Sequence, residues 1–421
     1  MDINLILQGK KCSCGKTHTC PIEHVYIEHN AITRLRELCA PYGKILAVAD
    51  ENTYAAAGAA VEAALGKRDI RRVIFDGSQV LIPNEAAIAA VEELIPDIEL
   101  ILGIGSGVIQ DLCKYVSHVH NIPYMIVATA PSMDGYASDG AAMILGGMKK
   151  TVPATLPKAI IADTDVLSRA PLDMIKAGFG DIIGKYSALC DWRLSNAVLG
   201  EYFCDYIYDT TSEMIEKTLA CAEGLMKRDE ESVGTLAQAL VVVGIMMSFA
   251  TTSRPASGSE HHLSHYFEIS GIIENTPYFT HGIDVAYSTV VTAELREGIL
   301  SRPFPDVQFT PDADKYRNEM KDAYQSREVL EGCIALQEKA GLYGKDRLSC
   351  YKEKEALIRS ILSDAPTSKS IEEMLALVKL DMKDFYTLYS SEKINRAIRY
   401  AKDLKNRYTV LWMNYDLGYS S

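Results

Sequence analysis

The sequence predicts an α/β N-terminal dinucleotide-binding domain with a mostly parallel sheet, followed by an all-α C-terminal domain. Three observations lead to this fold class. The 421 residues exceed the usual size of one hydrophobic core. Short apolar strands alternate with helical segments in the first part, and strand signals disappear beyond Pro171. A turn in SRAPLD places the boundary near 165–171, so the predicted domains are 1–168 and 169–421.

The predicted strands are apolar or β-branched runs ended by Asp, Gly or Thr. They are KILAVAD (44–50), RRVIFDG (71–77), LILGIGSG (100–107), PYMIVATA (123–130) and KAIIADTDVL (158–167). Amphipathic segments such as NTYAAAGAAVEAALGK and NEAAIAAVEELIPDI lie between them. This alternation of strand and helix indicates a parallel sheet with both faces covered.

Composition limits the partners of the protein. The formal charge of −13 argues against nucleic acid and anionic membranes, although backbone amides can still hold a small phosphorylated ligand. The most apolar stretch, residues 235–253, contains Gln, Gly, Ser and Thr, so we expect a buried core helix and no membrane span. Reduced cysteines and the lack of a secretory signal pattern predict a cytoplasmic protein.

The segment KKCSCGKTHTC is unlike the rest of the chain. It contains Cys12, Cys14, His18 and Cys20, which are enough soft ligands for a structural zinc. The spacing differs from the paired Cys-x-x-Cys of strong zinc motifs. A metal site and an N-terminal hairpin with reduced thiols both remain open.

Two loops that follow adjacent predicted strands indicate a nucleotide site. GIGSGVIQD (103–111) opens a helix after a strand, where glycines allow a pyrophosphate to approach the backbone and free amides attract its charge. Val108 occupies the third glycine position of the dinucleotide fingerprint, so the motif alone is weak. ATAPSMDGYASDGAA (128–142) adds hydroxyls and two acids, Asp134 and Asp139, after the next strand.

Histidines are concentrated in SGSEHHLSHYFE (257–268). His261 and His265 are one helical turn apart and share a face, whereas His262 should point away. His281 begins a later apolar helix, and Asp181 begins a buried-looking helix in GFGDIIGKYSALCDW. Asp181, His261 and His281 together would leave open coordination positions, as a catalytic divalent metal requires.

These motifs, in this order, resemble the superfamily of iron-containing alcohol dehydrogenases, glycerol dehydrogenases and dehydroquinate synthases. The sn-glycerol-1-phosphate dehydrogenase branch is the most similar. The resemblance implies a dehydroquinate synthase-like fold and metal ligands at Asp181, His261 and His281. It implies substrate contacts at Asp134 and His265, with His265 relaying a proton. The dinucleotide contacts it implies are Gly105, Ser106, Gly107, Val108, Ile109, Thr129, Ser132 and Ser138.

The expected reaction is the reversible reduction of dihydroxyacetone phosphate to sn-glycerol 1-phosphate by NADH or NADPH. One divalent metal, either zinc, nickel or iron, and a homodimer are also expected from the resemblance. Asp50, at the end of the first predicted strand, would repel a 2′-phosphate and favours NAD. Candidate cations for the substrate phosphate are Lys150, Lys185 and Arg254.

Two alternatives remain. A metal-dependent glycerol or polyol dehydrogenase would act on an unphosphorylated substrate. A non-catalytic protein would bind NADH without consuming it.

Overall fold

The computed structural model describes residues 2–146, 148–310 and 312–419. The strands β1 to β10 are Lys10–Lys11, Thr17–His18, His24–Glu28, Lys44–Asp50, Asp69–Phe75, Leu100–Gly105, Tyr124–Ala128, Gly140–Leu145, Met148–Pro153 and Ala159–Asp163. The helices α1 to α20 are Ile3–Leu7, Leu35–Leu38, Glu51–Leu65, Glu85–Glu92, Gly107–His120, Thr164–Ser168, Leu172–Leu199, Asp205–Ala220, Ala222–Lys227, Glu230–Ala250, Ser259–Glu274, His281–Leu300, Ala313–Tyr324, Arg327–Ala340, Leu348–Glu353, Glu355–Asp364, Ser368–Ala376, Met382–Leu388, Ser391–Tyr400 and Val410–Asp416. Short 3₁₀ helices span Ala31–Arg34, Asp134–Ala137 and Ala401–Leu404.

A six-stranded parallel sheet organises the first part of the chain, in the order β3-β10-β7-β6-β4-β5. From β4 the chain first adds β5 on one side and then returns to add β6 on the other. Strand order therefore reverses between β4 and β6. In open parallel sheets, ligands bind beyond the carboxyl ends of the strands at such a switch point.

Apolar residues explain why this sheet is central. Every residue of β6, β7 and β10 is buried, which is typical of parallel strands with helices on both faces. Ile45, Leu102, Val127 and Ile161 form one core with Val61 of α3. After β10 the described chain is helical, so the predicted fold class is confirmed.

Some elements were not predicted. β3 forms the edge of the sheet next to β10, and β8 pairs with β9 in an antiparallel hairpin. The segment 140–142, predicted as part of a loop, is the start of β8. The C-terminal half of KAIIADTDVL forms the short helix α6.

By packing, the described chain divides into two compact units. The first comprises 1–182 and 209–253, and the second comprises 183–208 and 254–421. The helical segment 209–253 thus packs with the α/β region. The compact units are defined by packing alone. The division into a nucleotide-binding domain, 1–168, and a metal- and substrate-binding domain, 169–421, stays a prediction.

The apolar stretch 235–253 lies largely in α10. Within the described ranges, α10 is the helix long and apolar enough to cross a membrane, and 78% of its most apolar window is buried inside the protein. Leu240, Val242 and Ile245 are fully buried. This burial agrees with the predicted core helix.

Candidate active site

The turn between β6 and α5 is the first predicted cofactor loop, and it lies in the first unit. Gly105 ends β6, and Ser106 is the N-cap of α5 but makes no capping hydrogen bond through its side chain. The first turn of α5, which begins at Gly107, carries no acidic residue. Its backbone amides and the positive end of the helix dipole therefore suit a pyrophosphate.

The loop after β7 lies beside this turn, because β6 and β7 are neighbours. Gly105 pairs with Ala128, and the backbone N–H of Thr129 donates to the carbonyl of Gly105 at 3.1 Å. Thr129 and Ser132 are both buried. The structure thus brings the two predicted cofactor loops together at one edge of the sheet.

Lys114 is buried and fixes this loop through hydrogen bonds, although it was not predicted as a site residue. Lys114, on α5, donates to the Ser138 hydroxyl and the Gly140 carbonyl at 3.0 Å each, and also to the carbonyl of Gly135. Burial lowers the pKa of Lys114, while the charges of Asp111 and Asp134 oppose that shift. Only the folded loop places three acceptors around this ammonium group, so its role was not visible in the helix pattern.

Asp50 lies at the end of β4, next to the switch point, and pairs with Phe75 of β5. Its carboxylate caps α3, accepting from the backbone N–H of Thr53 at 2.9 Å in a capping box. The position is the predicted one. Its effect on a 2′-phosphate stays a prediction.

Asp134 and Asp181 are joined in the first unit. Asp181 lies on α7 with no solvent exposure, and its Oδ2 accepts from the backbone N–H of Asp134 at 2.9 Å. Gly178, one turn earlier on α7, makes this approach possible. A Cβ there would lie 1.9 Å from the carbonyl oxygen of Pro131.

Three histidines form a cluster in the second unit. The ring centroids of His261 and His281 are 5.1 Å apart, those of His265 and His281 are 5.5 Å apart, and those of His261 and His265 are 6.1 Å apart. One ring nitrogen of His261 lies within 4.8 Å of one of His281. Helices α11 and α12 therefore present imidazoles from two sides toward a common point, where two nitrogens can share an ion.

Glu260 fixes the orientation of His261. Its Oε1 accepts from the His261 Nδ1 at 2.7 Å and from the Gly258 N–H at 2.8 Å, so Nε2 is the His261 nitrogen left for a metal. Burial, and then the charge of Asp191, raise the pKa of Glu260 to about 8. Burial, followed by the nearby Lys185, lowers the pKa of His261 well below its usual value, which favours the neutral ligand form. Glu260 was not among the site residues predicted from the sequence.

Tyr389 positions the start of α12, where His281 lies. Its hydroxyl donates to the Asp284 carboxylate at 3.0 Å and accepts from the Phe279 N–H at 3.3 Å. The Tyr389 ring stacks on Phe267 of α11 with centroids 4.2 Å apart. Tyr389, which was not predicted as a site residue, thus links the two histidine-bearing helices.

The prediction that His262 points outward was wrong. His262 has no solvent exposure, and within the described residues neither ring nitrogen has a hydrogen-bond partner. Burial, with the charges of Lys405, Arg407 and Arg254, lowers its pKa well below the usual value. Helical periodicity placed it opposite His261, but α11 is covered on both of these faces.

Two cations lie at Ser257, two residues before the start of α11. Lys405 Nζ donates to the Ser257 hydroxyl at 3.0 Å, and Arg407 donates to the Ser257 carbonyl at 2.8 Å. Arg254, a predicted phosphate cation, is instead bonded to the Glu201 carboxylate and to the Tyr408 carbonyl. Of the other two predicted cations, Lys185 is fully buried on α7 and Lys150 is exposed on β9.

The sequence is similar to those of known dehydrogenases. Residues 26–171 match the family model for iron-containing alcohol dehydrogenases. A glycerol-1-phosphate dehydrogenase [NAD(P)+] from Geobacillus thermodenitrificans is 34% identical over 298 residues, which are 69% of this chain and 74% of that protein. Another from Halalkalibacterium halodurans is 30% identical over 97% of both chains. The chain belongs to the glycerol-1-phosphate dehydrogenase family.

Membership of the glycerol-1-phosphate dehydrogenase family confirms the resemblance drawn from the motifs. The fold is shared more widely. The crystal structure of an iron-containing alcohol dehydrogenase from Thermococcus thioreducens superposes with a TM-score of 0.60 at 13% identity, covering 95% of this chain and all of that one. Neither comparison assigns roles to individual residues, so the roles of the two loops, the two acids and the histidine cluster stay predictions.

Proposed function

We propose that the protein reversibly reduces dihydroxyacetone phosphate to sn-glycerol 1-phosphate with NADH or NADPH. Membership of the glycerol-1-phosphate dehydrogenase family over the full chain carries this proposal. The cofactor loops of the first unit and the histidine cluster of the second supply side chains suited to each part of the reaction. The protein would therefore be a metal-dependent oxidoreductase that acts on a small phosphorylated ketone.

We assign one divalent metal, either zinc, nickel or iron, to Asp181, His261 and His281. The orientation of His261 by Glu260 and the spacing of the two imidazoles support this ligand set. When bound, such an ion polarises the ketone carbonyl, and the reduced nicotinamide supplies a hydride to its carbon. Asp181 would contribute the negative charge that two neutral imidazoles lack.

The dinucleotide contacts in this proposal come from the first unit. The start of α5 would bind the pyrophosphate through its amides, with Gly105, Ser106 and Gly107 allowing close approach. Thr129, Ser132 and Ser138 follow on the adjacent loop. Asp50, on the neighbouring strand β4, would accept from a ribose hydroxyl and so favour NAD over NADP.

His265 would supply the proton to the ketone oxygen as the carbon is reduced. It belongs to the histidine cluster but is absent from the proposed ligand set, and an imidazole can exchange a proton near neutral pH. Asp134 would contact the substrate hydroxyl. The backbone N–H of Asp134 donates to the Asp181 carboxylate, so Asp134 and the proposed metal ligand Asp181 would move together.

Lys405 and Arg407 are the cations we assign to the substrate phosphate. Both lie at Ser257, four residues before His261, and Lys405 is close enough to lower the pKa of His261. The buried imidazole of His262 lies near the same two cations. Neither of its ring nitrogens has a hydrogen-bond partner within the described part of the chain, so a bound ligand could supply one. An anion there would be attracted by both cations and could accept a hydrogen bond from His262.

A cytoplasmic homodimer with no nucleic-acid partner completes the proposal. The charge of −13 supports the last point, because a phosphate backbone would be repelled.

The deciding experiment follows NADH oxidation with dihydroxyacetone phosphate, using protein stripped of metal and reloaded separately with zinc, nickel or ferrous iron. Dihydroxyacetone is the unphosphorylated control. Turnover of the phosphorylated ketone alone is the expected result. Equal or faster turnover of dihydroxyacetone would make the protein a polyol dehydrogenase, and no turnover with any metal would support the non-catalytic alternative.

A further inference from the structure

The N-terminal hairpin holds sulfur and nitrogen ligands on a tight turn, outside the site described above. β1 and β2 pair antiparallel, with Lys11 opposite Thr17. Between them the N–H of Cys12 donates to the Lys16 carbonyl at 3.0 Å, and the N–H of Gly15 donates to the Cys12 carbonyl at 3.1 Å. Gly15 has a φ of +86°, a left-handed conformation that favours glycine. Cys12 and Cys14 lie in the connection between β1 and β2, and His18 lies on β2.

The three side chains converge. The sulfurs of Cys12 and Cys14 and a ring nitrogen of His18 all lie within 4.8 Å of one another, and Cys14 Sγ is 3.4 Å from His18 Nε2. Ligands bound to a tetrahedral zinc through bonds of about 2.0 to 2.3 Å are separated by about 3.3 to 3.8 Å. None of the described cysteines forms a disulfide. Small shifts would therefore complete a coordination sphere from thiols that are already reduced.

The second nitrogen of His18 sets the ring in the form that binds metal. His18 Nδ1 lies 3.1 Å from the carbonyl oxygen of Phe249 on α10. A carbonyl only accepts, so Nδ1 carries the proton and a neutral ring has its lone pair at Nε2, toward Cys14. Stacking on the Phe249 ring, with centroids 5.2 Å apart, and an exposure of 1% fix the imidazole in place. A backbone carbonyl on the far nitrogen is the usual support for a metal-binding histidine.

We propose that Cys12, Cys14 and His18 bind a structural zinc ion, which fixes the N-terminal hairpin around the imidazole that contacts α10. Two thiolates and an imidazole suit zinc. Cys20, the other cysteine of the segment, is not part of this group. It is buried and bonded to Ser248, and burial raises the pKa of its thiol. This site is separate from the proposed dehydrogenase chemistry and does not depend on it.

Three ligands leave the fourth position of a tetrahedral zinc site open. Replacing each of the remaining cysteines by serine in turn would identify the ligand at that position. Burial raises the thiol pKa of five of them, so they are poor sources of a thiolate: Cys39, Cys113, Cys190, Cys221 and Cys333. Cys350 donates to the Val198 carbonyl at 3.6 Å. Cys204 is replaced together with these cysteines in the scan, and water is the ligand if no cysteine substitution changes the site.

Cobalt substitution tests the proposal in the full chain. A cobalt ion with thiolate ligands absorbs by sulfur-to-metal charge transfer, whereas the proposed Asp181, His261 and His281 site contains no sulfur. We expect this absorption in the wild type and in the His261→Ala/His281→Ala double variant. Cys12→Ser and Cys14→Ser should each lose it together with one metal equivalent per chain, whereas the matched control Cys20→Ser should keep both. A cobalt-loaded wild type without the absorption, or an unchanged absorption in Cys12→Ser/Cys14→Ser, would overturn the proposal.

A second measurement works even if those serine variants do not fold. Alkylation of each cysteine is followed by peptide mapping in the His261→Ala/His281→Ala variant, with zinc and after chelation. Cys12 and Cys14 should be protected by zinc and lose that protection on chelation, while buried Cys20 should react slowly in both states. Equal alkylation of Cys12 and Cys14 with and without zinc would show that the hairpin contains ordinary thiols.

Discussion

The backbone N–H of Asp134 donates to the Asp181 carboxylate at 2.9 Å, which ties the loop after β7 to helix α7. The same loop carries Thr129 and Ser132, two proposed cofactor contacts. The contact between Gly178 and Pro131 one turn away keeps loop and helix at this distance. A change in the position of this loop would therefore affect the proposed cofactor site and the proposed metal ligand together.

Replacing Gly178 by Ala should destabilise the protein. The new methyl group would meet the Pro131 carbonyl oxygen at 1.9 Å, and neither backbone can yield easily. We expect a loss of about 1–3 kcal/mol or more in the free energy of unfolding, measured by denaturant titration. NADH binding should weaken as well, because the loop moves.

Gly298→Ala is the matched control. Gly298 lies in α12, and an added Cβ there would have no neighbour within 4 Å among the described residues. This substitution should stabilise the helix by about 0.5–1 kcal/mol. Equal stability of the two variants would show that the contact between α7 and the loop adapts without cost.

Asp181→Asn should remove metal while leaving the fold intact. An amide oxygen can still accept from the Asp134 N–H, but the negative charge that would attract a divalent ion is lost. We expect metal content and turnover to fall together, with an unchanged circular dichroism spectrum. Asp139→Asn, in the exposed part of the same loop, should change neither. Full metal content in Asp181→Asn would remove Asp181 from the ligand set.

Glu260→Gln should weaken metal binding without abolishing it. Glutamine retains an acceptor for His261 Nδ1, but it can never carry the negative charge that Glu260 acquires on ionisation and that makes the imidazole a stronger ligand. The expected decrease in metal affinity is about 10- to 100-fold, measured by competition with a chelator. Glu274→Gln, at the far end of α11, breaks an ion pair with Lys393 and should leave metal affinity unchanged. If both variants lose affinity equally, the effect comes from the helix and not from the orientation of His261.

Much of the fold could be predicted because the buried strands show continuous apolar runs. β4, β6, β7 and β10 all fall within predicted strands, since burial on both faces requires such sequences. β3 was missed because an edge strand needs fewer apolar residues; only Val25 among its five residues is buried. The β8–β9 hairpin was missed because small residues at its start have the composition of a loop.

The candidate site could be predicted where a side chain is marked by a local motif. Gly105 ends β6, His261 lies in the first turn of α11 and His281 begins α12, and each of these boundaries is visible in the sequence. Glu260 and Tyr389 could not be found in this way. The Glu260 side chain folds back and accepts a hydrogen bond from the ring of the next residue, His261. Tyr389 bonds to Asp284, which is more than a hundred residues away in the sequence. The error on His262 has a similar origin, because periodicity gives the direction of a side chain but not what covers it.

His265→Gln should separate proton transfer from metal binding. Glutamine is polar and of similar reach, but it cannot exchange a proton near neutral pH. We expect kcat with dihydroxyacetone phosphate to fall by about 10²- to 10⁴-fold while metal content stays at the wild-type level. A parallel loss of metal would mean that His265 is a ligand, as its distance from His281 would also permit.

Lys405→Met should reveal which cation binds the substrate phosphate. Methionine keeps most of the side-chain length and removes the charge, so the Ser257 contact and one phosphate contact are lost together. A charged hydrogen bond of about 1.5–3 kcal/mol corresponds to an increase of about 10- to 100-fold in KM for dihydroxyacetone phosphate. The residual activity with dihydroxyacetone should not change, because that ketone has no phosphate. Lys393→Met, which removes a charge paired with Glu274 on the same group of helices, should leave both values unchanged. An equal loss with the two ketones would show that Lys405 supports the start of α11, in which case Arg407 and Lys185 become the phosphate cations to test.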